Sequence, residues 1–510
     1  MRRFLRLLPL FFFFTLTFYS CKTSKLSISQ KAKEAQRGTY TPQKHEMRAI
    51  WMATVFHDEY TKMTPAEMRK YLVDRLNEIK ATGFNTLVFQ VRPESDAFYR
   101  SELEPWSRFL TGNQGQAPSP EWDPMEFLIE ECHKRGLEFH AWINPYRAQA
   151  DNTKPLDPMH PVSRHPEWFL KYGKLTVYNP GLKESREFII QVVSDMVSRY
   201  DLDAIHMDDY FYPYPIAGVE FPDMQTYLQD PRGFRDIKDW RRDNVNQLIR
   251  DMHHAIRSIK PYVRLGISPF GIYRNISSDP NGSRTGGLQN YDELYADILL
   301  WDKMGWVDYI MPQLYWQMGH KAADYTELAY WWQRNIHNSH FYIGQSVKRT
   351  MDSDELHPKL VIAGDTSEGN CMWPGEEIFR NYKGVRDALK KIYWRFPALV
   401  PPSHDIHGSY TYPRQVTGLR TEEGPEGLRL VWDALPSTEE QGNMRYVIYF
   451  YEGNRTKRNL SEPQHILAVT RDNYFDLPAL DGDTKMVYFV TALNRYNCES
   501  TEAPFVKVKH

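Results

Sequence analysis

Between about residues 45 and 400 the chain alternates short apolar runs with longer amphipathic stretches, and this alternation limits its fold more than any other feature. Short apolar runs predict buried strands, and apolar residues every three or four positions predict helices that cover them. Repeated strand–helix units form parallel sheets, because the helix carries the chain back to the start of the next strand. Eight candidate strands predict an α/β fold, a closed (β/α)8 TIM barrel: Ala49–Val55, Thr86–Arg92, Glu138–Asn144, Ala204–Asp208, Arg264–Ser268, Tyr309–Tyr315, Phe341–Gln345 and Asn370–Trp373.

Helical patterns fill the segments between these runs. The seventh helix is the weak point, because Asp354–Gly364 is short and contains Pro358. The loops after strands two, three and four are long, and a barrel places its site in such loops. The predicted helices are Pro65–Thr82, Pro124–Arg135, Glu184–Tyr200, Trp240–Lys260 and Tyr291–Met304.

After Pro401 and Pro402 the pattern changes to period-two runs separated by polar turns. Such runs predict a small all-β, immunoglobulin-like antiparallel sandwich. Trp432 and Tyr488 resemble the core tryptophan and the tyrosine corner of a fibronectin type III domain. We therefore predict a barrel domain over residues 45–405 and a fibronectin type III-like domain over residues 412–510.

The N-terminus carries Arg2 and Arg3, an apolar run over 7–18, and then Cys21. This run is too short to span a membrane and is typical of a secretory signal. It resembles a bacterial lipoprotein signal, which implies a signal peptide over 1–21, a lipidated Cys21 and a tether over 22–44. The expected location is the bacterial cell envelope, on the periplasmic or outer-membrane surface, with simple secretion as the alternative.

Composition excludes some classes of partner and favours others. A net charge of -2 and an isoelectric point near 6.8 offer no general attraction to nucleic acid. The 14 Trp and 32 Tyr supply more rings than a core requires and favour a ligand that stacks on rings. The cysteines beyond position 21 are too few and too widely spaced for a disulfide framework or a CxxC metal site, and we interpret them as buried thiols.

The fourth strand ends in two carboxylates, Asp208 and Asp209, followed by aromatic residues. Aspartate is a poor strand former, so two of them at the mouth of a buried strand need a reason beyond packing. Asp208 shares its parity with His206 and points into the barrel, where glycoside hydrolysis would need a carboxylate. Asp209 has the opposite parity, and it could be the second carboxylate, a loop brace or a cap.

Other strands also end in polar or aromatic residues that share one parity and converge at the barrel mouth. These side chains can hydrogen-bond sugar hydroxyls or stack on pyranose rings, although each alone could be a structural group. The candidate substrate-binding residues are Arg92, His140, Asn144, Tyr146, His206, Tyr210, Gln313, Tyr315, Trp316 and Trp373.

A glycosidase also needs a proton donor, and the sequence leaves several candidates. They are Asp209, Glu94, Asp96, Glu376 and Glu377. A metal centre on His140, His206 and Asp208 is the alternative chemistry, but the first strand lacks the His-x-His of metal-dependent barrel hydrolases. We therefore predict neither a metal nor a cofactor.

Several motifs together resemble one family, the glycosyl hydrolase-like family ten of bacterial lipoproteins. The resemblance implies a barrel glycosidase, and one enterobacterial branch cleaves peptidoglycan glycan strands that have lost their peptides. The motifs are Arg48-Ala49-Ile50-Trp51, Gln90-Val91-Arg92-Pro93, His140-Ala141-Trp142-Ile143-Asn144-Pro145-Tyr146-Arg147, His206-Met207-Asp208-Asp209-Tyr210, Ile267-Ser268-Pro269-Phe270-Gly271 and Pro312-Gln313-Leu314-Tyr315-Trp316.

The fourth strand is also similar to that of alpha-amylase-like barrels, and this similarity implies a nucleophilic role for Asp208. Their fifth-strand glutamate has no counterpart, since Ser268-Pro269-Phe270 stands there. We expect a glycoside hydrolase acting on peptidoglycan glycan strands or another envelope or environmental polysaccharide. The rivals are a catalytically weak carbohydrate-binding lipoprotein and a metal-dependent barrel hydrolase.

Overall fold

The computed structural model describes residues 26–403, 412–425, 427–438, 442–457, 459–479 and 484–509. Residues 1–25, which hold the expected signal peptide and Cys21, lie outside the described residues. Within the described part of the chain, no helix is long and apolar enough to cross a membrane.

The first domain is built on a nearly closed barrel of parallel strands. Its seventh strand is interrupted at Tyr342; the first half pairs with strand six and the second half pairs with strand eight. In the described residues the barrel strands are β1 (Met47–Met52), β2 (Thr86–Arg92), β3 (Glu138–Ile143), β4 (Ala204–Met207), β5 (Arg264–Ile267), β6 (Tyr309–Ile310), β7 (His340–Phe341 and Ile343–Ser346) and β8 (Gly369–Trp373).

Helices cover the outside of the barrel and begin where local signals place them. Thr64 caps α2 by accepting a hydrogen bond from the Glu67 backbone N–H, and the Glu67 carboxylate accepts one from the Thr64 backbone N–H. The main helices are α1 (Ile28–Arg37), α2 (Pro65–Thr82), α3 (Pro124–Lys134), α4 (Lys183–Arg199), α5 (Ile237–Ile259), α6 (Ile298–Lys303), α7 (Tyr325–Asn335) and α8 (Leu356–Thr366).

Two predicted elements are shorter in the structure than the sequence pattern suggested. Strand six was expected to reach Tyr315, but β6 ends at Ile310, before Pro312, which has no N–H to donate. The helix expected over Tyr291–Met304 is two pieces, Asn290–Glu293 and Ile298–Lys303. Tyr295 between them has a φ of 53°, which no helix allows.

Side chains of alternate parity divide the barrel core into an inner and an outer layer. Ile50 and Leu87 face the helices, whereas Trp51 and Val88 fill the inside. Gly266 on β5 is required by the inner layer, because a Cβ atom there would lie 1.8 Å from the Tyr309 ring. The Tyr309 ring therefore packs inside the barrel directly against the Gly266 backbone.

The loop after β3 forms a small antiparallel sheet from Arg147–Gln149, Phe169–Tyr172 and Leu175–Tyr178. The loop after β4 carries one short helix, Met224–Gln229. Both loops follow the carboxyl ends of barrel strands and raise the walls of the barrel mouth.

The C-terminal region is all-β and consists of two antiparallel sheets. Trp432 lies in the core between them with its ring edge against Tyr446. In the described residues the strands are β9 (Arg420–Gly424), β10 (Gly427–Val431), β11 (Arg445–Glu452), β12 (Ile466–Thr470), β13 (Tyr474–Asp476), β14 (Lys485–Leu493) and β15 (Phe505–Lys509).

These sheets contact the amino-terminal end of the barrel, opposite its mouth. Arg495 donates to Asp201 at 2.5 Å and lies 2.9 Å from Asp203, both just before β4. Asn497 donates to Glu138 at the start of β3 at 3.0 Å. The contact is therefore polar and buried, and it leaves the mouth of the barrel open.

Candidate active site

A buried carboxylate pair stands at the carboxyl end of β4. Asp208 Oδ2 accepts hydrogen bonds from Trp142 Nε1 at 3.1 Å and from Asn144 Nδ2 at 2.5 Å. Its Oδ1 accepts one from the backbone N–H of Tyr210 at 3.2 Å. Three donors thus fix the Asp208 carboxyl, and all three come from the barrel mouth itself.

A chain of amides fixes the orientation of Asn144. Backbone N–H groups of Thr54 and Val55 donate to Gln90 Oε1 at 2.8 and 2.9 Å. Gln90 Nε2 therefore faces Asn144 Oδ1, to which it donates at 2.6 Å. Because Asn144 Oδ1 is the acceptor, its Nδ2 must be the group that donates to Asp208. Asn144 is fully buried and supports Asp208 from behind.

Asp209 has different partners, and one of them, Tyr214, is 38% exposed. The Tyr214 hydroxyl donates to its Oδ2, and Gln313 Nε2 donates to its Oδ1 at 3.0 Å. Since β4 ends at Met207, the chain turns before strand alternation can send Asp209 outward. Both carboxyl groups consequently face the same pocket.

Burial and mutual repulsion favour retention of a proton on this pair. Burial, with the neighbouring charge of Asp209 second, raises the pKa of Asp208 to about 7. Burial also raises the pKa of Asp209. Ionising one carboxyl makes ionisation of the other harder, so the pair retains a proton to a higher pH than an isolated carboxyl group does. One member can then donate a proton while the other is charged.

The pair lies in a pocket of about 610 Å³ at the barrel mouth. Its walls are mainly aromatic and include two cations, Arg147 and Arg349. The charge of Arg147 acts on both carboxylates and opposes the rise in their pKa. Aromatic walls and a few converging polar groups are typical of a sugar site. The lining residues are Trp51, Ala53, Val55, Phe56, His57, Gln90, Trp142, Arg147, Asp208, Asp209, Tyr210, Tyr214, Ser268, Phe270, Gln313, Tyr315, Trp316, Arg349 and Trp373.

Five of the predicted substrate-binding residues line this pocket. Tyr210 is 37% exposed and stacks on Tyr214 at the rim, with ring centroids 5.5 Å apart. Trp373 meets Trp142 edge to face at 6.0 Å. The remaining three are Gln313, Tyr315 and Trp316.

Arg92 does not reach the pocket, because the ladder between β2 and β3 contains an irregularity. Gln90 pairs with Trp142, but Arg92 pairs with the very next residue, Ile143. This bulge changes the side-chain alternation after Gln90. Arg92 instead forms a fully buried ion pair with Glu104, with Nε 2.8 Å from Oε2.

His140 and His206 lie inside the barrel below the pocket and bond to the same tyrosine. The Tyr309 hydroxyl is 2.9 Å from Nδ1 of each histidine. Trp51 Nε1 donates to His206 Nε2, so His206 Nδ1 carries the proton and donates to Tyr309. The Tyr309 hydroxyl then donates to His140. Burial holds the pKa of both histidines below the ordinary value, so both imidazoles are neutral and neither is a cationic partner of Asp208.

Tyr146 is also buried away from the pocket, with 1% of its surface exposed. Its ring belongs to the core between the barrel and its helices. A residue two positions after the mouth-facing Asn144 looked suitable from sequence, but the backbone turns into the antiparallel loop there and carries the Tyr146 side chain inward.

Among the proposed proton donors, Asp209 lines the pocket and the others do not. Glu94 lies 3.2 Å from Arg108 and borders a separate cavity of about 760 Å³. Asp96 accepts from Gln114 at 3.0 Å. Glu376 faces His57 at 3.7 Å, and Glu377 lies in the first turn of the short helix Gly375–Phe379.

The residues considered for a metal centre are not gathered around one point. His140 and His206 share Tyr309, whereas Asp208 is held by Trp142 and Asn144. Among the described residues, one group has the spacing of metal ligands: His57, Glu59 and Glu376, whose ligand atoms lie within 4.8 Å of one another. It stands at the rim, beside the pocket.

Several pocket residues escaped the sequence prediction. Trp51 and Trp142 share the inward parity of their strands, so that signal was present in the sequence. Tyr214, Phe270 and Arg349 come from loops or helix starts, where no periodicity indicates direction. Arg147 is oriented only by tertiary contacts, with Nη2 donating to Asn144 at 2.6 Å.

Comparison with known proteins finds a matching family model and relatives that are all named glycosyl hydrolases. The family model described as Glycosyl hydrolase-like 10 matches residues 46–361. Glycosyl hydrolase YngK of Bacillus subtilis is 38% identical over 480 residues, covering 89% of this chain and 92% of the relative. Glycosyl hydrolase DigH of Escherichia coli strain K12 is 35% identical over 374 residues, covering 68% of this chain and 84% of the relative.

Among solved structures, the glycoside hydrolase domain of PgaB (BpsB) from Bordetella bronchiseptica aligns with 68% of this chain and 98% of that chain. Its sequence identity is 10% and its TM-score is 0.43. A likeness at this score does not bear on function.

Proposed function

The chain belongs to the Glycosyl hydrolase-like 10 family, and on that premise we propose that it is a glycoside hydrolase with Asp208 at the reacting centre. The observation that carries the proposal is the carboxylate pair in an aromatic pocket. Burial raises the pKa of both carboxyl groups, so the pair retains a proton to a higher pH than an isolated carboxyl group does. Glycoside hydrolysis requires a charged carboxylate near the anomeric carbon and an acid for the leaving oxygen.

The proposed substrate is a complex glycan. Ring platforms such as Tyr210, Trp316 and Trp373 suit the apolar faces of pyranoses, and Gln313 and Arg147 suit their hydroxyl groups. The family resemblance favours peptidoglycan glycan strands without peptides as the first substrate to test, ahead of other envelope or environmental polysaccharides.

The proposed location is the bacterial cell envelope. The apolar run before Cys21 supports a lipid anchor on that cysteine, with residues 22–44 as the tether. Trp432 and Tyr488 support a fibronectin type III identity for the C-terminal sheets, and we propose that they act as a spacer or docking module.

The experiment is release of reducing ends from denuded peptidoglycan and from a polysaccharide panel. Asp208→Asn and Asp209→Asn should each lose at least about a hundredfold in kcat/KM. Asp476→Asn, at an exposed carboxylate on β13, is the matched control and should keep full activity. An unchanged rate in Asp208→Asn would remove this residue from the mechanism.

The same assay separates the rival functions. A carbohydrate-binding protein without catalysis would retain glycans and release no ends at any enzyme concentration. A metal-dependent hydrolase would lose activity on treatment with a chelator. We expect full activity in the chelator, because the carboxylate pair supplies both the charge and the proton.

A further inference from the structure

The two pocket carboxylates come from neighbouring positions on one strand, and this placement is unusual for a two-carboxylate glycosidase. Such enzymes hold their carboxyl groups on either side of the scissile bond, about 5–5.5 Å apart for retention and roughly 6.5–9.5 Å apart for inversion. Here the Cα atoms of Asp208 and Asp209 are about 3.8 Å apart, and both side chains approach from the β4 wall. The sugar would meet both carboxyl groups from the same side.

The other walls offer no third carboxylate within the described part of the chain. Trp51 and Ala53 come from β1 and the residue after it, and Trp373 ends β8, on the far side of the barrel from β4. Glu59 and Glu376 stand near His57 without lining the pocket. The wall opposite the pair is therefore mainly apolar and aromatic, with His57 and Arg349 among its polar groups, and its described residues supply no carboxylate nucleophile.

One polar group in the pocket floor has no partner. Tyr315 lines the pocket, and among the described residues no side chain or backbone group hydrogen-bonds its hydroxyl. Asp208 and Asp209 line the same pocket as Tyr315. Burial, followed by the charges of Asp209 and Asp208, raises the pKa of the Tyr315 hydroxyl, so it stays protonated. A neutral O–H donor is thus available to a ligand that reaches Asp208.

We propose that the nucleophile is the carbonyl oxygen of the substrate's own 2-acetamido group, so that the cleaved residue is a 2-acetamido-2-deoxyhexose. This inference rests on the proposed function and specifies its mechanism and its sugar. The Asp208 carboxylate accepts the acetamide N–H, and the Tyr315 hydroxyl donates to the acetamide oxygen. The methyl group lies among Trp51, Trp142 and Trp373.

The positions of the two aspartates divide their roles. The side chains that hold Asp208, Trp142 and Asn144, are buried. Asp209 is held by Gln313 and by Tyr214, whose side chain is 38% exposed at the rim. A leaving glycan chain must extend outward past the rim, and on the proposed mechanism Asp209, beside Tyr214, is the proton donor and Asp208 is the partner of the acetamide.

The bonds balance over two steps. In the first step the acetamide carbonyl oxygen bonds to C1 while the bond between C1 and the glycosidic oxygen breaks. Asp209 gives its proton to the glycosidic oxygen, which leaves with the departing sugar. The product is an oxazolinium ion whose N–H is held by the Asp208 carboxylate. In the second step water attacks C1 and Asp209 takes a proton from that water. The bond between C1 and the acetamide oxygen in the oxazolinium ring breaks, which restores the acetamide. Two displacements at C1 retain the anomeric configuration.

The first test uses the full chain, chitooligosaccharides and denuded peptidoglycan. Replacing N-acetyl by fluoroacetyl, difluoroacetyl and trifluoroacetyl in an aryl glycoside should lower kcat/KM progressively, because fluorine weakens the carbonyl oxygen as a nucleophile. A thiazoline analogue of the cyclised sugar should inhibit competitively and far more tightly than N-acetylglucosamine. If fluorine substitution does not change kcat/KM and the thiazoline does not inhibit, this mechanism is wrong and the glycosidase proposal stands. If no glycan is hydrolysed, both proposals are wrong.

The second test is Tyr315→Phe, which removes only the hydroxyl. We expect a loss of about a hundredfold in kcat and abolished thiazoline binding, as for removal of a donor to a developing charge. Tyr342→Phe is the matched control, because its buried hydroxyl has no hydrogen-bond partner among the described residues and does not line the pocket. An equal loss in both variants, or no loss in Tyr315→Phe, would contradict the assignment.

Discussion

At the scale of single residues, the candidate active site buries two carboxyl groups, although burial disfavours their charged forms. Asp208 and Asp209 are 5% and 2% exposed and repel each other. Three donors on Asp208 and two on Asp209 offset part of this cost. The raised pKa of both groups reflects the part that is not offset, and the same shift would supply the proton that the proposed glycoside hydrolysis requires.

Asp208→Asn should therefore stabilise the protein in a pH-dependent way. The Asp208 pKa rises from 3.8 to about 7 on folding, so the free energy of unfolding falls as pH increases between these values. Removing the titratable group should raise stability at pH 8 by at most about 4 kcal/mol, and by little at pH 4. Thermal unfolding of both proteins at the two pH values measures the difference.

Asp476→Asn is the control of opposite sign. Its exposed ion pair with Arg429 lowers the pKa of Asp476, so this variant should lose slight stability at neutral pH and none at low pH. A stability gain in Asp208→Asn that is equal at pH 4 and pH 8 would contradict a raised pKa at this site.

At the scale of elements, small irregularities decide which side chains reach the pocket. The bulge after Gln90 turns Arg92 into the core, and the early end of β4 lets Asp209 join Asp208. Inside the barrel, Gly266 leaves room for the Tyr309 ring, which links His140 and His206. These features determine the shape of the pocket floor.

Gly266→Ala should accordingly be among the most damaging single-methyl changes in the barrel. The new Cβ would lie 1.8 Å from the Tyr309 ring, which is enclosed and cannot move aside. Overpacking of this kind costs about 1–3 kcal/mol or more, and we expect the upper end. Gly364→Ala in α8 is the control, since nothing lies within 4 Å of its added methyl group and alanine favours a helix. Urea unfolding should show a loss in the first variant and a slight gain in the second.

At the scale of the whole molecule, the C-terminal sheets close the end of the barrel opposite the pocket. Arg495 is 1% exposed and bonds Asp201 and the Leu202 carbonyl oxygen, while Arg445 and Asn497 approach Glu138. Glu138 in turn lies 3.2 Å from His140. A continuous set of buried polar contacts therefore runs from the C-terminal sheets to Tyr309 on the barrel axis.

Arg495→Met should destabilise both domains together. Removing one partner of a buried ion pair typically costs about 3–5 kcal/mol. We expect the lower end of this range, because Asp201 keeps Arg471 and Asp203 keeps His133. We expect a lower melting temperature and separation of one unfolding transition into two, measured by calorimetry. Arg429→Met, at an exposed ion pair within the C-terminal sheets, should change neither. Unaltered unfolding of Arg495→Met would show that the two domains are stable independently.

The barrel and its strand bounds were predictable because their signals are local. Thr86–Arg92 and Pro65–Thr82 have the predicted limits, since apolar runs and the Thr64–Glu67 capping box act within a few residues. The helix expected over Tyr291–Met304 was wrong as one element, because a positive φ at Tyr295 divides it and periodicity does not indicate such a φ. The short β6 was missed although Pro312, a local signal, marks where the strand ends.

The sequence by itself determined the order of strands and helices, the two domains' classes and the position of Asp208 at a strand end. Tertiary structure decided which polar side chains meet. Arg92, His140, Tyr146 and His206 had suitable parity or position, yet a bulge, the barrel depth and a turn took them from the pocket, whereas Asp209 entered it. Periodicity fixes the face of a strand, but a site depends on where several strands end and how a closed barrel sets them against one another, which are long-range properties.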